Sequence, residues 1–234
     1  MRLSKTPTLP DAVASVSARL ALRQQNLVAL MPVLLHDING SLNGLSLSTE
    51  LLSRLQQRAT ADPATAADLL RRTCNELGRL KLALKALESR VAPGVLGQVP
   101  ARESPLVSTV KQVLAVLLPA LRRGQHELHA SLEIAEIPVE AGPDDLFDLL
   151  AGLIIVTIDA APPHCALDVS IVSTDRLATI TIAHASQPRS GMGHEIHREL
   201  LRTAALLAGG TVEWQQSAAG SRGRLRLRRA LMLA

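Results

Sequence analysis

A histidine followed directly by an aspartate lies in the stretch LLHDINGSLNGLSL, residues 34 to 47. His36 can serve as a nucleophile, because an exposed histidine is mostly neutral near neutral pH and the neutral ring has a free lone pair. Asp37 can accept a hydrogen bond from the other ring nitrogen and stabilise the cation that forms on attack. Such a pair suits the acceptance of a phosphoryl group. An ordinary surface histidine fits the same spacing, and spacing alone does not decide between the two.

The same stretch reads as the middle of a helix, where Gly40 and Gly44 each cost roughly 1 kcal/mol relative to alanine. His36 is two residues from Leu34 and two from Ile38, both on the apolar face. Residues two apart on a helix point about 200° away from each other, so His36 should face away from the core. The residues that share its face are Asn39, Gly40, Asn43 and Leu47. A strip with so little bulk would let the backbone of another protein come close.

Two long helical patterns position this stretch, and both lie within residues 11 to 91. In the first, the apolar residues with helical spacing are Leu27, Met31, Leu34, Ile38, Leu45 and Leu52. The sequence ATADPAT then breaks the pattern, with Asp62 a suitable N-cap and Pro63 a suitable first-turn residue. The apolar seam of the second pattern is Leu70, Cys74, Leu77, Leu80, Leu84, Leu87 and Val91. We expect the two helices to form a hairpin with one buried seam.

A single hairpin of this kind has a small core. Each buried leucine contributes about 1.5–3 kcal/mol, against an ordering cost of roughly 1–2 kcal/mol for each residue fixed. A second copy would supply the missing contacts, so we predict a homodimer in which two hairpins form a four-helix bundle.

After the hairpin the pattern changes. Residues 92–104, APGVLGQVPARES, contain glycine and proline turn signals without periodicity and are predicted to be a linker. From residue 105 to 234, helical segments and strands with period two predict an α/β two-layer sandwich with helices on one side of a sheet. The fold class is therefore α+β, with a helical hairpin at 1–91, a linker at 92–104 and a sandwich at 105–234.

Composition restricts the partners. With one Phe, one Trp and no Tyr in 234 residues, the chain lacks the stacking platforms that single-stranded nucleic acid needs. Part of the net charge of +4 comes from arginines that alternate along one strand face, namely Arg222, Arg224, Arg226 and Arg228. We favour a solvated face over a nucleic-acid patch, and a weak attraction for an acidic protein partner stays open.

The compartment follows from the cysteines and the hydropathy. Cys74 and Cys165 lie in apolar contexts and are expected to be reduced core residues. No secretory signal and no apolar run long enough to span a bilayer are apparent. We therefore expect a cytoplasmic protein that binds neither a membrane nor nucleic acid.

The remaining histidines form no obvious site. His194 and His197 lie three residues apart in GHEIHRE, one residue short of the zinc-peptidase spacing, and no third ligand is evident. We predict no metal site of the protein's own, and we interpret Trp214 as a core or rim residue. Four further histidines are interpreted as surface residues, namely His126, His129, His164 and His184.

The order of these parts resembles the domain order of the two-component histidine kinases. LLHDINGSLNGLSLSTELL is similar to that family's phosphoacceptor helix, in which an acid follows the histidine at once. DDLFDLLAGLIIVTIDAAP resembles its asparagine-box helix, and SGMGHEIHRELLRTAALLAGGTVEW its last glycine box with the helix and strand that follow. GSRGRLRLR resembles its closing hairpin. The resemblance covers nearly the whole chain and implies a sandwich of the histidine-kinase ATPase type.

The departures from the family fall on residues that would hold ATP and on two residues of the phosphoacceptor helix. Val156 stands where the magnesium-binding asparagine is expected, and Gly152 where a second asparagine is common. No aspartate-glycine box follows LATITIAHA, and valine cannot ligate magnesium, which needs oxygen donors. Asn39 replaces the usual basic residue, and Gly40 replaces the side chain that commonly positions water for dephosphorylation. The resemblance therefore implies that ATP binding is lost and that a phosphoryl group on the histidine would be kept.

A kinase frame with these changes resembles the dimeric histidine phosphotransferases of phosphorelays. The resemblance implies that His36 takes a phosphoryl group from the aspartate of one receiver domain and passes it to another, with Asp37 orienting the ring. The residues expected to contact the receiver are Asn39, Gly40, Asn43 and Leu47. The protein would need no cofactor, because each receiver brings its own magnesium. A divergent ATP-dependent histidine kinase and a non-catalytic receiver-docking module stay open as alternatives.

Overall fold

The computed structural model describes residues 9–56, 63–91, 103–133, 135–187 and 193–230. The chain forms two compact units. One is Leu30–Gly97, and the other combines Met1–Ala29 with Gln98–Ala234. The start of the first helix thus groups with the sandwich, whereas the sequence patterns placed all of residues 1–91 in the hairpin.

Two long helices occupy the region of the predicted hairpin. Helix α1 spans Leu9–Gln56 and continues through Pro32, and helix α2 spans Pro63–Val91. Pro63 begins α2 as predicted, because a first-turn residue has no intrahelical use for its N–H. Asp62 and the side chains of Leu87 and Val91 lie outside what the structure describes.

The predicted seams are found only in part. On α1 Leu34 is buried, and the five half-buried members are Leu27, Met31, Ile38, Leu45 and Leu52. On α2 Leu80 is half-buried, but the exposed members are Leu70, Cys74, Leu77 and Leu84. The interpretation of Cys74 as a core residue is therefore wrong for the single chain. Periodicity finds an apolar stripe on a helix but does not say what covers it.

The second unit contains the predicted mixture of helices and strands. Its helices are α3 (Leu106–Arg123), α4 (Pro143–Ala160) and α5 (Gly193–Leu207). Strands β1 (Ser104–Pro105) and β3 (Pro138–Val139) pair with each other antiparallel. The other strands are β2 (Glu127–Ser131), β4 (Ala166–Ser173), β5 (Leu177–His184), β6 (Thr211–Ser217) and β7 (Gly220–Arg228). Ser104, predicted to end the linker, is thus part of β1.

The main sheet has the strand order β2-β4-β5-β7-β6. β2 runs parallel to β4, and the remaining neighbours are antiparallel. Alternate residues of β5 and β7 are buried, and α4 packs on both strands, with α3 on β2 and α5 on β6. This arrangement is the predicted two-layer sandwich, and the chain is α+β.

Helix α4 is the centre of the core. All residues from Leu146 to Thr157 are buried, as expected for a helix that is apolar all round. Asp144 and Asp145 lie in its first turn, where the helix dipole favours negative charge. Helix α5 is followed by Gly209 with a φ of 73°, the left-handed conformation that a glycine commonly adopts just after a helix.

The outcome for the predicted side-chain environments is mixed. Cys165 is buried as predicted, and Trp214 is half-buried with the Arg198 guanidinium 5.2 Å from its ring centroid. The interpretation of His184 as a surface residue is wrong, because it is buried. His184 lies on the same face of β5 as Ile180 and Ile182, which the period of two places toward the helices.

Candidate functional site

The imidazole of His36 lies on the exposed side of α1. Its side chain is 67% exposed and that of Asp37 is 40% exposed. Nδ1 of His36 is 3.9 Å from Oδ1 of Asp37, which is within ion-pair range and beyond hydrogen-bond range. Leu34 is buried and Ile38 half-buried, so the ring faces away from the apolar side as predicted. A nucleophile that solvent can reach is thus paired with an adjacent carboxylate.

The predicted partner-contact residues share this exposed side. We call the set the docking strip, and its members are His36, Asn39, Gly40, Asn43 and Leu47. From its first to its last residue the strip is about 16 Å long, at about 1.5 Å per residue. The structure therefore brings every sequence-predicted site residue onto one continuous surface, with Asp37 at its edge.

The two glycines of this segment have different surroundings. A Cβ at Gly44 would lie 3.3 Å from Cγ of Glu76 on α2, so Gly44 permits close packing between the helices. A Cβ at Gly40 would meet nothing within 4 Å. Packing thus explains Gly44 but gives no reason for Gly40, whose lack of a side chain keeps the docking strip low.

The face of α4 that the resemblance assigns to a nucleotide is filled by the chain's own side chains. Val156 is buried, and Gly152 is covered by side chains from α1 and α5. A Cβ at Gly152 would lie 3.1 Å from Cδ1 of Leu201, 3.2 Å from Oδ1 of Asn26 and 3.3 Å from Cδ1 of Leu22. Gly152 is therefore packed by the chain's own side chains, and Val156 offers no oxygen ligand for magnesium.

A buried polar contact holds the start of α1 on this face. Nδ2 of Asn26 donates to the carbonyl oxygen of Asp148 at 2.8 Å. Oδ1 of Asn26 is 3.0 Å from Nε2 of His197, and with the amide nitrogen already donating, Nε2–H of His197 is the donor. Both Asn26 and His197 are buried. His197 therefore takes part in the packing of α1 against the sandwich.

An ion pair at the surface adds to the same contact. Nη1 of Arg19 lies 3.0 Å from Oδ2 of Asp145, and Nη2 donates to the carbonyl oxygen of Leu207 at 3.3 Å. Burial raises the pKa of Asp145, and the positive charge of Arg19 opposes that shift. Arg19 therefore ties α1 to the beginning of α4 and to the end of α5.

A second buried histidine lies at the end of β5. His184 pairs in register with Ser221 of β7, and among the described residues neither ring nitrogen nor the Ser221 hydroxyl finds a hydrogen-bond partner. Burial lowers the pKa of His184. The backbone of Ser186 raises it, though without a hydrogen bond of normal geometry, and His126 lowers it. The ring is accordingly held in its neutral form.

The described part of the chain holds neither a metal-binding cluster nor a membrane-spanning helix. No group of three or more His, Cys, Asp or Glu side chains there could hold a metal ion. None of the described helices combines the length and apolar character needed to cross a membrane.

The contact of Asn26 with the sandwich was missed by sequence reasoning. Asn26 lies within a helical pattern, and nothing in its neighbours distinguishes it from a solvated polar residue. A clue did exist in Gly152, because a glycine inside an otherwise apolar helix often marks the close approach of another chain segment.

Comparison with known proteins finds structural similarity without sequence relatives. No protein-family model matches the chain, and no curated protein sequence matches it significantly. Among solved structures, the catalytic domain of histidine kinase ThkA is 13% identical, with a TM-score of 0.48 over 54% of this chain and 95% of that one. A histidine kinase from Burkholderia phymatum is 12% identical, with a TM-score of 0.49 over 85% of this chain and 98% of that one.

A structure described as a bacterial phosphotransferase is also similar. It is 14% identical, with a TM-score of 0.46 over 86% of this chain and 96% of that one. Similarities of this size, all at TM-scores below 0.5, assign neither a family nor an activity to this chain.

Proposed function

We propose that this protein is a histidine phosphotransferase, which relays a phosphoryl group between the aspartates of receiver domains through His36. The observation that carries the proposal is the exposed His36 ring with the Asp37 carboxylate 3.9 Å from Nδ1, at the head of the docking strip. Surface histidines are common, but this one combines a neighbouring acid with a glycine, Gly40, that packing does not require.

The proposed chemistry uses the two ring nitrogens of His36 differently. Nε2 attacks the phosphorus of a receiver's aspartyl phosphate in line with the bond to the carboxylate oxygen. The P–O bond breaks as the P–N bond forms, and the receiver's aspartate leaves as a carboxylate. The proton on Nδ1 stays, so the phosphorylated ring carries a positive charge that the nearby Asp37 carboxylate stabilises. A second receiver reverses these steps, and magnesium comes with the receivers.

The docking strip supplies a surface for the receiver. The amides of Asn39 and Asn43 can donate and accept hydrogen bonds, and Gly40 lets a partner's backbone approach between them. Leu47, which is 58% exposed, offers an apolar contact at the far end. Such a surface combines a small apolar contact with polar groups that fix orientation, as protein interfaces do.

The alternative of an ATP-dependent kinase is disfavoured by the α4 face. The region around Gly152 is filled by Leu22, Asn26 and Leu201, and Val156 provides no oxygen ligand. For the protein to act as a kinase, ATP would have to bind away from this face of α4, or α1 would have to be released from the sandwich. We therefore place the source of the phosphoryl group on another protein.

We also propose that the protein acts as a homodimer. Each helix of the hairpin unit carries apolar side chains that the single chain leaves uncovered, among them Leu35 at 46% and Leu77 at 51% exposure. Similar residues follow at heptad spacing, namely Leu42, Leu70 and Leu84. A second hairpin that covers both stripes would complete a four-helix bundle.

The proposal is tested with the full chain and a panel of purified receiver domains phosphorylated with labelled acetyl phosphate. Wild type, His36→Gln and His129→Gln are compared, since His129 is an exposed histidine of the sandwich. We expect label on wild type and on His129→Gln but none on His36→Gln. The label should be lost in acid and kept in alkali, as for a phosphorus–nitrogen bond.

Each other outcome identifies a different function. If no receiver loses phosphate to the wild type, or if His36→Gln drains the receivers equally well, the protein is better described as a non-catalytic docking module. If ATP and magnesium alone label His36, the protein is a divergent histidine kinase.

A further inference from the structure

The outer face of the main sheet carries a row of arginines that the proposed function does not use. β7 is an inner strand, and four of its alternate residues project away from the helices. We call this surface the arginine face, and its residues are Arg222, Arg224, Arg226 and Arg228. Alternate residues of a strand are about 6.5–7 Å apart, so the guanidinium groups form a regular ladder.

Few acids balance this ladder. Glu213 of β6 pairs with Arg226 at 2.7 Å. Within the described residues, Arg222, Arg224 and Arg228 make no ion pair. The acids of the outer face at the other edge of the sheet, Glu127 and Asp168, are instead bridged by His129 at 3.2 and 3.4 Å. The arginine half of the face therefore has four positive charges against one negative charge.

Apart from Glu213, which lies opposite Arg224, the residues beside the ladder are uncharged. Arg222 lies between Ala183 and Gln215, and Arg226 lies between Thr179 and Thr211. Because alanine and threonine side chains are short, the guanidinium groups beside them can make bidentate contacts with carboxylates or phosphates.

The surroundings favour a polypeptide over a nucleic acid. The chain has only one Phe and one Trp; Phe147 is buried, and Trp214 pairs with Gly223, which lies on the other face. The arginine face thus offers no aromatic platform for bases. It does offer exposed apolar side chains, because Leu177 lies opposite Arg228 and Val172 is 61% exposed. Arginines beside apolar side chains are typical of protein interfaces.

We propose that the arginine face binds an extended acidic segment of a partner protein. Every second side chain of an extended segment projects to the same side, at the spacing of the arginine ladder. Carboxylates at alternate positions can therefore each meet one guanidinium group, while an apolar residue at one end contacts Leu177. The proposal does not depend on phosphotransfer by His36.

The test measures binding of a fluorescent eight-residue peptide of alternating Glu and Thr to the full chain at low ionic strength. The variant Arg222→Gln/Arg224→Gln is compared with Arg122→Gln/Arg123→Gln, which removes the same charge from the exposed end of α3. We expect the first variant to weaken binding by about tenfold and the second to leave it nearly unchanged. Added salt should weaken binding to the wild type, because the face is exposed.

The other outcomes overturn the proposal. These are no binding at low salt, equal weakening by both variants, or tighter binding to duplex DNA or phosphatidylserine vesicles than to the peptide. Thermal unfolding of each variant checks the fold. If Arg222→Gln/Arg224→Gln is unfolded, Arg228→Gln near the end of β7 takes its place, and unchanged binding by that variant also overturns the proposal.

Discussion

Gly40 and Gly44 lie one helical turn apart on α1, and the same substitution should affect them differently. A Cβ at Gly40 meets nothing within 4 Å, so Gly40→Ala should raise the free energy of unfolding by about 1 kcal/mol through helix propensity alone. A Cβ at Gly44 would lie 3.3 Å from Cγ of Glu76, which must move, so Gly44→Ala should gain less or lose stability. Unfolding in urea measures the free energy of unfolding of both variants. Equal gains would contradict the packing role of Gly44.

A bulky residue at Gly40 should affect function and not folding. Gly40→Leu adds a side chain to the docking strip, and displacement of a receiver by even a small distance should slow phosphotransfer by about tenfold or more. The matched control is Gly78→Leu on α2, where a Cβ also meets nothing within 4 Å. Rapid-quench measurement of transfer from one phosphorylated receiver gives both rates. Equal rates for Gly40→Leu and wild type would remove Gly40 from the docking strip.

The neutral ring of His184 should make stability depend on pH. Burial first, and the nearby His126 as well, lower its pKa in the folded chain, whereas in the unfolded chain it protonates near about 6.5. Its neutral state therefore stabilises the fold fully above about pH 6.5, and this contribution is lost as pH falls below that value. We expect His184→Gln to lose less stability than wild type on acidification, as read from unfolding temperatures.

A histidine with the opposite shift provides the control for that measurement. The carboxylate of Glu127 raises the pKa of exposed His129, so its contribution is present at low pH and lost as pH rises through the folded pKa. His129→Gln should therefore change the dependence of stability on pH in the direction opposite to His184→Gln. If wild type and His184→Gln lose stability in parallel between neutral pH and pH about 5, His184 is not held neutral by the fold.

At the scale of elements, Asn26 joins α1 to both α4 and α5. Asn26→Leu keeps the branched shape of the side chain but leaves the Asp148 carbonyl and Nε2 of His197 without this partner. Each buried group deprived of its hydrogen bond costs about 1–3 kcal/mol, so we expect a loss of roughly 2–4 kcal/mol in the free energy of unfolding. Gln24→Leu, two residues earlier and exposed, should stay within about 0.5 kcal/mol of wild type. Unfolding of both variants by guanidinium measures these free energies. An Asn26→Leu variant as stable as wild type would show that the contact contributes little to stability.

A feature could be predicted from the sequence when the residues that determine it lie close together along the chain. The start of α2 at Pro63, the period of two along the strands and the exposed direction of His36 each depend on residues within one or two turns, and each was predicted. The contact of Asn26 with His197 joins residues 171 positions apart, and no local pattern encodes it. His184 could have been placed correctly from the sequence, since it continues the alternation that buries one face of β5.

At the scale of the whole molecule, the open stripes of the hairpin predict the assembly. A chain of 24.9 kDa that leaves Leu42 and Leu77 about half exposed should associate until a second copy covers them. Leu42→Glu/Leu77→Glu would place charges where that copy packs, and burying an unpaired charge is costly. We therefore expect light scattering to give twice 24.9 kDa for wild type and 24.9 kDa for the variant.

The control separates this stripe from exposed apolar surface in general. Leu206 on α5 is 60% exposed, more than either hairpin leucine, but it lies in the other compact unit. Leu206→Glu should leave the association unchanged, because Leu206 lies outside the proposed bundle. A wild type that is monomeric at all concentrations would exclude the dimer and still leave the exposed His36 to be tested as a phosphoacceptor on a single hairpin.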